Sequence, residues 1–129
     1  MIAGKLSELK NELKKDPEAI SHWYEDSTTL LIAACAYGNV ESAKYLIAYD
    51  PSKVKFQVPV NGYTALMAAA MVGHLEVVEL LLQNGAVVNV YSHYGITPLS
   101  AASRNGHIAI VETLLRNGAD KDAVDNRGW

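Results

Sequence analysis

The feature that most constrains this chain is a fixed spacing. Gly62, Gly95 and Gly128 stand 33 residues apart, and the same interval separates Thr64 from Thr97, Gly73 from Gly106, His74 from His107 and Gly85 from Gly118. The stretch NGYTALMAAAMVGHLEVVELLLQNGA at 61–86 therefore returns as YGITPLSAASRNGHIAIVETLLRNGA with most of its landmarks in register. A period of this length means units stacked side by side, each burying its apolar surface on the next, and argues against a single closed core. An earlier copy lies 35 residues upstream, where Thr29, Leu31, Ala33, Ala34, Gly38, Val40 and Glu41 match Thr64, Leu66, Ala68, Ala69, Gly73, Leu75 and Glu76. Its two extra residues fall in DPSKVKFQVPVNG, between Asp50 and Gly62, where a loop absorbs them at small entropic cost.

Local signals inside each copy agree with one another. Thr64 and Thr97 are placed to cap a helix, and Pro98 follows Thr97 at a position that tolerates a missing N–H. The alanines after each threonine imply a close neighbour. Gly73 and Gly106 break that helix, and a second one begins with an apolar stripe at Leu75, Val78, Leu81 and Leu82, repeated as Ile108, Val111, Leu114 and Leu115. Asn84-Gly85 and Asn117-Gly118 end it with the left-handed residue that a C-terminal cap prefers. Between units, SHYGITP has the composition of a tight turn joining extended arms. With 129 residues, half of them apolar, the chain is expected to bury a core and to form one ordered domain.

These segments resemble ankyrin repeats, whose period is 33 residues and whose signature is T-P-L-H-x-A. The resemblance extends over essentially the whole chain. It implies an all-α fold, an ankyrin-repeat solenoid of stacked helix-turn-helix units with β-hairpin-like turns. The expected division of the single domain 1–129 is an N-terminal half-repeat or cap at 1–25, repeats at 26–60, 61–93 and 94–126, and the start of a further repeat at 127–129. Ile32, Met67 and Ser100 stand where the signature has His, and Leu30 and Ala65 where it has Pro, departures that bear on turn rigidity and not on the fold. In the half-repeat, Leu6, Leu9 and Leu13 keep a narrow apolar stripe while Glu12 replaces a leucine, as a capping unit requires. At the other end Leu114 and Leu115 have no polar replacement, so the chain is expected to be a fragment of a longer array, with Trp129 as a lid or self-association through this face as the alternatives.

Charge and composition exclude several classes of function. Net charge is −3 and the pI is near 5.7, which provides no basic stripe for nucleic acid or an anionic membrane surface. No apolar stretch is long enough for membrane insertion, and an intracellular, cytoplasmic protein is expected. Cys35 is alone, on the core side of an alanine-rich helix, and reads as a buried inert thiol. No metal and no cofactor are expected, because the glycines follow the repeat and not a phosphate loop, and His74 and His107 lack a second ligand four residues on. By resemblance, each of these histidines tethers a neighbouring loop. Acidic side chains fall on helix exteriors or turns, so no acid–base pair is assembled and the chain is not expected to be an enzyme.

Function in a solenoid is carried by positions that stacking does not use. The resemblance places these beside the turn glycine and just before the interhelical glycine. They are Glu25, Asp26, Thr28, Ala36 and Tyr37 in the first unit, Val60, Asn61, Tyr63, Met71 and Val72 in the second, Tyr91, His93, Tyr94, Ile96, Arg104 and Asn105 in the third, and Val124, Asn126, Arg127 and Trp129 in the stub. Tyr, Trp, Met and Arg are enriched where a partner excludes water, and no Lys or Arg occurs between Lys55 and Arg104. The expected role is a protein–protein interaction module that binds another protein through turn tips and the concave helix face. The alternatives are an inhibitor covering the active face of an enzyme, as in the small ankyrin-type kinase inhibitors, an architectural spacer, or tyrosines that only pack along neighbouring turns. Asn89 resembles the turn asparagine that asparaginyl hydroxylases modify in ankyrin proteins, although Val87 replaces the usual Asp two residues earlier.

Overall fold

The chain is described by a computed structural model covering residues 27–59 and 61–122, with side chains from residue 30 onward. The half-repeat at 1–25, the stub at 127–129 and Trp129 lie outside the described residues, as do Asp26, Val60, Val124 and Asn126. Within them the order is α1 (Ser27–Ala36), α2 (Val40–Tyr49), a 3-10 turn (Pro51–Val54), α3 (Ala65–Val72), α4 (Leu75–Gln83), α5 (Pro98–Arg104) and α6 (Ile108–Arg116).

Each pair is antiparallel, and pairs stack in two layers. Helices α1, α3 and α5 form the inner layer, and α2, α4 and α6 the outer one. The inner helices pack more intimately because Ala34, Ala69, Ala70 and Ala102 are fully buried between them, and small side chains let backbones approach. Leucines in register fill the space between layers: Leu31, Leu66 and Leu99 from the inner helices, Leu46, Leu81 and Leu114 from the outer ones.

The local signals act as the sequence implies. Thr64 Oγ1 accepts the Met67 N–H at 3.2 Å. Thr97 Oγ1 accepts the Ser100 N–H at 3.0 Å while Ser100 Oγ accepts the Thr97 N–H at 2.9 Å, a complete capping box. Ser100 thus puts to use a departure from the family signature, and Met67, at the same position one unit earlier, is buried in the core. Gly73 ends α3 at φ 102°, where a Cβ would also stand 2.5 Å from the His107 ring, so two requirements exclude any side chain there. The connecting turns close through Val58 N–H to Tyr63 C=O at 2.8 Å and Ser92 N–H to Ile96 C=O at 2.8 Å, hairpin-like but without a strand among the described residues.

The histidine tethers are present. His74 Nε2 lies 3.0 Å from the carbonyl of Ala36, and His107 Nε2 lies 3.0 Å from that of Met71, each ring reaching the end of the preceding inner helix. In the first unit the same position is Asn39, which instead caps α2 by accepting the Ser42 N–H at 3.0 Å.

One expectation needs correction. The outer helices bury Val77, Val78 and Leu81, and Ile110, Thr113 and Leu114, whereas Leu75 and Leu82 are half-buried and Ile108 and Leu115 exposed. An outer helix packs on its own inner helix and on outer neighbours, so its apolar surface is wider than one stripe and is covered only where a neighbour lies.

Candidate functional site

The sequence-derived positions fall on two rims. One is the row of turn tips before α3 and α5. The other is the row of inner-helix C-termini, about 12 Å away along an eight-residue helix. Half-buried Ala33 and Ala68 lie on the inner helices between them and make a low floor.

At the tips, backbone hydrogen bonds fix the geometry. Asn61 Oδ1 accepts the Tyr63 N–H at 2.9 Å, and the Asn61 carbonyl accepts the His93 N–H at 2.8 Å, joining one unit's turn to the next. Asn61 is therefore held by the turn, with part of its surface free. The exposed His93 ring rests against Gly62, 2.7 Å from where a Cβ would stand. Gln57 Nε2 donates both to the Gly62 carbonyl at 3.0 Å and to the Tyr91 carbonyl at 2.9 Å. On this pinned backbone Tyr91 is 48% and Tyr94 57% exposed, while Tyr63 is half-buried.

Ile96 does not belong to this surface. It is only 6% exposed, its N–H donates to Ser92 Oγ at 3.1 Å, and its carbonyl closes the turn. Its counterpart 33 residues earlier is Tyr63, also partly covered, so the position after the turn glycine leans inward. A branched aliphatic side chain there is covered completely and a tyrosine is not.

On the second rim, Val72 is exposed and Met71 half-buried, with the Met71 carbonyl engaged by His107. Asn105 is exposed, and its Nδ2 donates to the Ala101 carbonyl at 2.8 Å, tying it to the end of α5; Arg104 is half-buried and engaged. Tyr37, the counterpart of Val72 in the first unit, is the most exposed tyrosine among the described residues. Phe56, partly exposed in the inserted loop, escaped the sequence reading because it has no counterpart in the repeat.

Formal charge is sparse along the tips. From Phe56 to Ser103 the only carboxylates are Glu76 and Glu79, both exposed on the outer helix α4, and no Lys or Arg occurs. Tips and floor thus carry no Lys, Arg, Asp or Glu, and among the described rim positions named above Arg104 alone is formally charged.

Asn89 performs a clamping role. Its Nδ2 donates to the Gly118 carbonyl at 2.9 Å and its Oδ1 accepts the Asp120 N–H at 2.8 Å, binding the loop after α4 to the loop after α6. Cys35 is fully buried, and desolvation pushes its thiol up to about 12, so it stays protonated at neutral pH. Among the described residues no three His, Cys, Asp or Glu side chains converge as metal ligands, and no helix is long and apolar enough to cross a membrane.

With this geometry the comparisons with known proteins agree. The family model described as ankyrin repeats (3 copies) matches residues 3–92 and 50–125. The chain belongs to the ankyrin-repeat family, whose repeats generally serve as protein–protein interaction modules. It is similar to the ankyrin repeat and KH domain-containing protein mask of Drosophila melanogaster, at 38% identity over 71 residues. That match covers 55% of this chain and 2% of the relative, so the chain spans only a small part of that protein's length.

Proposed function

We propose that the chain binds a partner polypeptide through the turn tips at Tyr63, Tyr91, His93 and Tyr94, with Met71, Val72, Arg104 and Asn105 as the second rim. One observation carries this reading: two tyrosines project from a backbone that inter-turn hydrogen bonds hold rigid, in a strip without formal charge. Rigid aromatic rings bury large area at small entropic cost, which is why tyrosine is enriched at binding hot spots. Affinity purification with the folded chain as bait identifies the partner. Titration with the variant Tyr63→Ala/Tyr94→Ala then tests the site, with an expected loss of about 2 to 4 kcal/mol in binding free energy and no change in fold. Unchanged affinity would remove the tips from the interface.

An enzyme whose turnover falls on binding would make the chain an inhibitor. Retained cellular function after every tip residue is changed to Ser would make it a spacer. Self-association is a second reading, favoured by Ile108 and Leu115, which are 71% and 42% exposed on α6. Light scattering that gives a monomer mass at high concentration would dismiss it. Asn89 is a proposed hydroxylation site, tested by intact mass after incubation with an asparaginyl hydroxylase. A cytoplasmic location is proposed on the family's usual context and is tested by imaging a tagged chain.

A further inference from the structure

The first connecting loop departs from the period. Units two and three join without the two residues that lengthen the link between Asp50 and Gly62. Loops that lengthen a repeat are commonly more mobile than the elements they join. This one is fixed. Asp50 Oδ1 accepts the Ser52 N–H at 3.2 Å and the Ser52 hydroxyl at 2.6 Å, starting the 3-10 turn. Val54 is buried in the core, and Gln57 bridges the Gly62 and Tyr91 carbonyls.

What the anchored loop presents is specific. Lys53 Nζ sits 4.7 Å from the centroid of Phe56, a ring left 37% exposed. A cation over the ring face holds both side chains in one arrangement. Lys55 runs along the next unit, its Cε 3.6 Å from where a Cβ on Gly85 would stand. Among the described residues neither lysine is in an ion pair, and the loop's carboxylate, Asp50, is occupied with Ser52. These are the only cations between Lys44 and Arg104 in a chain of net charge −3.

We propose that loop 50–57 is a second docking point, which takes an acidic extended polypeptide segment: Lys53 and Lys55 meet its carboxylates, and Phe56 covers an apolar side chain between them. Charge complementarity selects this occupant. Two lysines match a few local carboxylates, whereas nucleic acid and anionic bilayers need a broad basic face, which the net negative charge opposes. The assignment is independent of the tyrosine tips.

The test is fluorescence anisotropy with a short labelled peptide in which Glu and Asp alternate with Leu and Phe, beside the same peptide with Lys for every acid. The acidic peptide binds the full chain, and its affinity falls about fivefold as NaCl rises from ~50 to ~300 mM. Lys53→Glu/Lys55→Glu weakens it at least about tenfold, and Phe56→Ser about fivefold, with the circular dichroism of the folded chain unchanged because Val54, which anchors the loop in the core, is left in place. Tyr63→Ala/Tyr94→Ala retains it. The proposal is overturned if the two peptides bind alike, if charge reversal leaves affinity intact, or if only the tyrosine variant loses binding. It is also overturned if phosphatidylserine vesicles or oligonucleotides depend on these lysines while the peptide does not bind.

Discussion

The second and third units carry the same landmarks and differ in what lies beside them. Val78 is fully buried on α4, and Leu75 and Leu82 pack against the core; on α6 their counterparts Val111, Ile108 and Leu115 are half-buried, exposed and exposed. Residue type and helical position are equivalent, so the difference lies in how far the other described residues cover each helix. Burial in a stacked fold belongs to an interface between units, and a leucine is worth what the adjacent unit covers.

That comparison is broken most forcefully in the core. Leu82→Ala, in the middle unit, is expected to cost about 2 to 3 kcal/mol, and its counterpart Leu115→Ala under about 1 kcal/mol, both read from urea denaturation. Equal costs would show that position in the stack does not matter. The interhelical glycines give a narrower contrast. Gly73→Ala forces both a left-handed alanine and a clash with the His107 ring, for about 2 to 3 kcal/mol; Gly106→Ala meets nothing within 4 Å and suffers only the conformational penalty of about 1 kcal/mol.

Two further substitutions sharpen the account. Asn89→Ala removes the clamp between the second and third units, at about 1 to 2 kcal/mol and with earlier hydrogen exchange in the loop after α6. The smallest effect has the opposite sign. Ser42 occupies the place of Val77 and Ile110, and its buried hydroxyl has no hydrogen-bond partner among the described residues, so Ser42→Ala is expected to stabilise by about 0.5 to 1 kcal/mol in the same denaturation assay.

Much of this was legible in the sequence, for a physical reason. Threonine caps, interhelical glycines and the His74 and His107 tethers recur because every unit must solve the same backbone problem, so the period itself displays them. What the period could not display were the features that occur once. Spacing puts Ile96 at the surface although its side chain turns inward, since the position after the turn glycine is set by tertiary packing. A single helical stripe omits Val77 and Ile110, because a helix with neighbours on two sides presents two adjoining apolar lines. Phe56 and the Gln57 bridge lie in the insertion, outside any register that repetition defines. The chemical character of the tips was readable, and their rigidity emerged only with the bond from His93 to Asn61.

The central claim is that stacking occupies the inner-helix alanines, the inter-layer leucines and the outer helices, while recognition is left to the turn tips. Hydrogen–deuterium exchange of the chain with and without the partner recovered by affinity purification tests it most directly. The account predicts added protection at 58–63 and 91–96, with amides of α4 and α6 unchanged; protection confined to the outer helices, with free exchange at the tips, would contradict it.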